Sequence, residues 1–179
     1  MEMRKQTDGA MRRAKEVIPE VHEEFRQIFG RGSESPWFEQ YGDDDADICF
    51  VGMGTIALPL RVAVRRLKEK GVKIGFLRLK WFRPFATEEI RDVLSQYKAV
   101  AVIDRDYSYG SPTCGGVLFN ELRSAMYPVN NRPVMFPFVA GLGGREIHQK
   151  DVDEMHRIVQ DGLATGNMDQ ECSWIGVRR

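Results

Sequence analysis

Apolar positions follow two different rhythms along this chain. Over the first thirty residues, Met11, Ala14, Val17, Ile18, Val21, Phe25 and Ile28 recur at three- and four-residue steps between charged side chains, a spacing that predicts one amphipathic helix over 8–30. Asp8 is expected as its N-cap and Gly30 as its stop, with Pro19 kinking or dividing it. Such a helix, standing before any strand, needs a surface to lie on.

From Asp47 onward short apolar runs alternate with periodic segments. Asp47–Gly52, Val72–Leu79, Lys98–Asp104 and Pro133–Val139 read as buried parallel strands, the last partly broken by Pro137. Between them lie three helices: Thr55–Lys70, one from Thr87 to near Tyr97, and Gly116–Tyr127. Gln149–Leu163 forms a final helix. In the first of these, Leu58, Val62, Ala63 and Leu67 are expected to share the buried side, opposite Arg61, Arg65, Arg66 and Lys68. Pro59 is tolerated only within the first turn.

The β-α-β-α order predicts an α/β domain, a three-layer open, mostly parallel sheet with helices on both faces, over 47–179. Residues 1–46 would then be an N-terminal helix and linker. Within that linker Trp37, Phe38 and Tyr41 are expected to pin the segment onto the domain or to touch a partner. The C-terminal stretch is polar, with Trp174 and Ile175 as its apolar anchor.

Charge narrows the function classes. Lys plus Arg and Asp plus Glu number 26 each, so no net field draws the chain to nucleic acid or to an anionic membrane. No apolar run is long enough to cross a bilayer, and the N-terminus lacks a secretory apolar region. Cys49, Cys114 and Cys172 are odd in number and far apart, which fits a reducing, cytoplasmic setting and structural thiols. Without a CxxC spacing no iron–sulfur cluster is expected on this chain, and the three histidines lack a zinc pattern.

Four loops gather at one edge in a right-handed β-α-β series: VGMGT, WFRPF, DRDYSYG and GLGGRE. Gly52-x-Gly54 resembles a phosphate cradle but has Ala57 in place of a third glycine and no acid after the second strand. Asp104-Arg105-Asp106 could hold a ligand or form ion pairs across the sheet edge. Arg83, Arg105, Ser108, Gly143, Gly144 and Arg145 are the candidate interface or anion-contact residues, because a guanidinium on a rigid loop suits carboxylate or phosphate.

Taken together, DADICFVGMGT, VAVRRLKEKGVKIGFLRLKWFRPFATEEI, AVAVIDRDYSYGSPTCGGVLFNEL and FVAGLGGREI resemble the C-terminal part of pyruvate:ferredoxin oxidoreductase α subunits. The segment from Val17 to Asp47 resembles the connection between the two domains of such a subunit. The resemblance implies a transketolase C-terminal-like domain in a 2-oxoacid:ferredoxin oxidoreductase. That enzyme decarboxylates a 2-oxoacid on thiamine diphosphate and passes electrons through iron–sulfur clusters to ferredoxin, commonly yielding an acyl-CoA. It implies thiamine-binding, γ and ferredoxin-like chains as partners, with thiamine diphosphate, Mg²⁺ and clusters held elsewhere in the complex and a possible CoA contact here. The family's large N-terminal domain and its thiamine motif are not expected within this sequence, so the chain would be a subunit or fragment inactive alone. A free-standing doubly wound module for a CoA-like or nucleotide ligand is the alternative.

Overall fold

The computed structural model describes residues 1–43, 45–166 and 171–177. Its helices are α1 (Glu2–Phe29), α2 (Ala57–Glu69), α3 (Thr87–Leu94), α4 (Val117–Met126) and α5 (Gln149–Thr165). Its strands are β1 (Phe38–Gly42), β2 (Ile48–Met53), β3 (Gly75–Leu79), β4 (Ala99–Asp104), β5 (Val134–Val139) and β6 (Ser173–Trp174). They form one sheet in the order β1-β3-β2-β4-β5-β6, with β1 antiparallel and the other neighbours parallel.

The core is two apolar layers separated by the sheet. Phe50, Phe76, Ala101, Phe136 and Phe138 face Leu60, Val64, Val152 and Met155 of α2 and α5. Cys49, Val51, Leu77, Val100 and Val102 face Ile90, Leu94, Leu118 and Leu122 of α3 and α4. Alternate residues of each central strand therefore feed opposite layers, and both are apolar, which is why these strands read as unbroken apolar runs. The α/β expectation holds.

Several sequence expectations give way to local chemistry. The expected linker contains β1, so the sheet begins at Phe38, ahead of the boundary at 46. Trp37 and Phe38 are buried and do pin the segment to the domain. β3 starts at Gly75 rather than Val72 because the N–H groups of Gly71 and Val72 donate to Lys68 O and Leu67 O, closing the last turn of α2. In α2 the buried set is Ala57, Leu60, Ala63, Val64 and Leu67, leaving Leu58 and Val62 outside. α3 ends at Leu94, short of Tyr97. Pro137 sits inside β5 without breaking it, since β6 pairs only with Phe138 and Val139 and most of that strand's outer edge needs no donor. β6 itself was not anticipated.

α1 starts at Glu2, so Asp8 is internal and pairs with Arg12, while Pro19 lies within a single helix. Gly30 stops it in a left-handed conformation, as expected. None of its residues is buried. Its ties to the body are few: Lys15 pairs with Glu88 and Glu89, Ile18 packs on the α3/α4 layer, and His22 meets Ser33 O at 2.9 Å.

Candidate functional site at the strand ends

β2 leads through α2 to β3 on one side, while β4 leads through α4 to β5 on the other, so the chain reverses direction between β2 and β4. Open α/β sheets hold ligands in the crevice at this switch, outside the carboxyl ends of the strands. A cleft of about 340 Å³ lies there, between Met53 and Ile56 on one wall and Asp104, Arg105, Asp106 and Val117 on the other.

The wall after β4 is closed by its own carboxylates. Asp104, buried at the strand end, accepts from Leu118 N at 3.1 Å and Phe119 N at 3.0 Å, and Asp106 accepts from Val117 N at 2.7 Å. These are donors that a helix N-terminus otherwise offers to an anion. Among the described residues neither Asp104 nor Asp106 forms the ion pair across the sheet edge that the sequence offered as one alternative; both instead hold the start of α4. Burial pushes the Asp104 carboxyl up to about 6, opposed by the Phe119 bond, reinforced by Asp106 and opposed again by Leu118. Gly116 permits the approach, since a Cβ there would lie 2.3 Å from the Asp104 side chain. Ser108 belongs to the same closure, its N–H donating to Gly115 O at 3.0 Å and its Oγ accepting from Asn120 at 3.4 Å.

The wall after β2 is open. Gly54–Ile56 form a single 3-10 turn into α2 with no side-chain cap. Arg105 reaches across the cleft to donate to Thr55 Oγ1 at 2.9 Å. Its guanidinium also lies over Gly141, where a Cβ would come within 3.0 Å of Nε.

The three arginines share the edge but not a single cluster. Arg83, on the loop after β3, stacks on Phe82 with its guanidinium carbon 4.3 Å from the ring and pairs with Glu121 of α4 at 2.6 Å. Arg145 is presented by a turn in which Gly141, Gly143 and Gly144 all have positive φ, and it donates to Gly176 O. Only Arg105 approaches the Arg145 turn, through Gly141. Exposed apolar groups occur on the same loops and on β6: Trp81 after β3, Tyr109 after β4, Leu142 after β5 and Trp174 in β6, with Tyr107 packed against Trp174 at 4.8 Å. Sequence reasoning missed this aromatic set because Tyr107 and Trp174 meet only once β6 is in the sheet.

Comparison with known proteins fixes the family. Residues 46–152 match the pyruvate:ferredoxin oxidoreductase core domain II. The chain belongs to that family. Its relatives include the ketoisovalerate oxidoreductase subunit VorA of Pyrococcus abyssi, 36% identical over 99% of this chain and 44% of that protein. The pyruvate synthase subunit PorA of the same organism is 36% identical over 100% of this chain and 44% of its own length. The PorA of Thermotoga maritima is 33% identical over 99% of this chain and 43% of its own. The chain thus spans under half the length of the relatives it matches.

The α4 wall of the switch does not suit a thiamine diphosphate–Mg²⁺ site. The α4 donors that could receive a diphosphate are taken by Asp104 and Asp106, and among the described residues no three His, Cys, Asp or Glu side chains gather to hold a metal ion. Among the described residues no helix is long and apolar enough to cross a membrane.

Proposed function

We propose that this chain is the domain II part of the α subunit of a 2-oxoacid:ferredoxin oxidoreductase. In this reading it breaks no bond itself. It supplies a surface on which the thiamine-binding, γ and ferredoxin-like chains assemble in the cytoplasm, while thiamine diphosphate, Mg²⁺ and the iron–sulfur clusters sit on those chains. The carrying observation is 36% identity along nearly the whole chain to relatives named as subunits of such oxidoreductases. Identity is the same for a ketoisovalerate and a pyruvate relative, which supports placing the choice of 2-oxoacid outside this domain.

Two surfaces suit the assembly role. The strand-end edge combines aromatic and arginine residues, the types that dominate binding at protein interfaces. Arg145 is its best placed cation for an anionic group of a partner or of CoA, since Arg83 is already held by Glu121. The second surface is the α1 stripe of Val17, Val21, Phe25 and Ile28, which remains 38–65% exposed. A long amphipathic helix is stabilised mainly by covering such a stripe, at about 1.5–3 kcal/mol for each side chain fully removed from water.

Co-expression with thiamine-binding and iron–sulfur subunits tests the proposal. The chain should co-purify with them and be required for CoA-dependent reduction of ferredoxin by a 2-oxoacid. Titrated alone with thiamine diphosphate and Mg²⁺, it should give no stoichiometric heat. Arg145→Ala should weaken co-purification while the isolated chain melts within about 0.5 kcal/mol of the parent, as for an exposed substitution. A chain that stays apart from those subunits, or that binds thiamine diphosphate tightly by itself, ends this reading.

A further inference from the structure

The opposite flank of the sheet carries a separate surface. β1 is the outermost strand, and all its ladder bonds run inward to β3. Among the described residues nothing bonds its outer backbone edge, which leaves a row of donors and acceptors of the kind that accepts an added strand.

Over that edge lies the polar side of α2. Between Arg61 and Lys70 the chain has three arginines and two lysines against one glutamate, although the whole sequence is balanced. Lys68 is satisfied by Asp43 at 2.9 Å. Arg61 lies on the Tyr41 ring of β1, its guanidinium carbon 4.0 Å from the centroid, which fixes its position without neutralising it. Arg65 and Arg66 pair with no carboxylate among the described residues. A cleft of about 420 Å³ runs between Tyr41 and Arg61, Arg65 and Lys68, with Glu69 the one carboxylate among its described lining residues. Val62, 40% exposed, lines it, and Leu58, 59% exposed, precedes Val62 by one turn of α2.

We infer that the β1–α2 flank receives an extended acidic segment of a partner protein, which adds to β1 as a further strand and sets its carboxylates against Arg61 and Arg65. The backbone edge supplies the strand template. The unpaired guanidinia of Arg61 and Arg65 select the charge, because neither has an internal anion and Arg61 is held in place on Tyr41. Tyr41 and Glu39 share the face of β1 that looks toward α2, and Glu39 is already held by Arg78 at 3.4 Å, so it leaves Arg61 free. This surface is distinct from the strand-end edge and does not depend on the assembly proposed above.

An NMR titration of the full chain tests it, using a blocked seven-residue peptide alternating Glu and Val. Amide shifts should appear together at Glu39, Gln40 and Tyr41 and at Arg61, Val62 and Arg65. A peptide with Lys in place of Glu, and one with alternate backbone amides methylated, should each bind at least tenfold more weakly. Arg61→Glu combined with Arg65→Glu should cost at least tenfold for the Glu peptide. Equal binding of the Lys peptide, shifts on α2 with β1 unmoved, or no shift at millimolar peptide would each overturn the inference, and these outcomes hold even if the double variant fails to fold.

Discussion

The two loops that flank the switch point begin alike, each leaving a parallel strand for a helix, and end in opposite states. After β2 the turn at Gly54–Ile56 is short, and the start of α2 has no side-chain cap. After β4 the chain takes twelve residues, 105–116, to reach α4, and Asp104 and Asp106 hold the helix's first three N–H groups. A helix terminus with its donors taken by internal carboxylates is a structural joint, whereas one with open donors is available to something else. Fold topology alone does not distinguish the two. The residues at the strand's end and just after it do.

The strongest way to break this contrast is Gly116→Ala. The new Cβ would fall 2.3 Å from Asp104 Cβ and Cγ, and neither can retreat without releasing Leu118 and Phe119. We expect a loss of about 3 kcal/mol in urea unfolding, the upper range for overpacking a buried site. Gly54→Ala would add its strain from a positive φ alone, with no atom within 4 Å of the new Cβ.

A smaller effect is readable in pH. Asp104 has a carboxyl raised from 3.8 to about 6, so the folded chain holds that proton more tightly than the unfolded chain. Its contribution to stability is therefore present below the unfolded value and is lost as pH rises through about 6. Asp104→Asn, neutral throughout, lacks that slope. The stability of the parent relative to this variant should fall by something on the order of 2 kcal/mol between pH 4 and pH 7. A flat difference across that range would mean the closed wall carries no desolvated charge.

The smallest effect belongs to the bridge between the two walls. Arg105→Ala removes an exposed guanidinium that bridges to Thr55 across the cleft, and should change the melting free energy by no more than about 0.5 kcal/mol. Its consequence should be seen in co-purification with partner subunits instead. A large stability loss would make Arg105 a strut and erase the difference between the two walls.

Much of this was legible in the sequence because central parallel strands are apolar on both faces. Ile48–Met53 and Ala99–Asp104 stood out as runs for that reason. The edge strands were not, since β1 is FEQYG and β6 is two residues long, and neither has the composition of a strand covered on both faces. The site was legible as an edge but not as a set of contacts. The arginines follow their strands as topology requires, yet which acceptor each meets depends on Glu121, Thr55 and Gly176, 38, 50 and 31 residues away in the chain. Leu58 and Val62 were misplaced because α2 buries a face centred on Leu60, Val64 and Leu67, and helical periodicity alone leaves the rotation of that face open.

The direction of β1 has a consequence for how the molecule is wired. Because β1 runs against its neighbour, Phe38 sits beside Leu79, at the end where β3 finishes, and Gly42 sits beside Gly75, where β3 begins. The segment joining α1 to the sheet is thus delivered to the rim that carries the arginine and aromatic loops, where Lys80 fastens it through Ser33 Oγ at 2.6 Å and Ser35 O at 3.0 Å. A parallel first strand would have brought the same segment in at the far rim. One reversed five-residue strand therefore decides on which side of the domain α1 is moored, and makes the helix and the loop rim neighbours in space although they are distant in the chain.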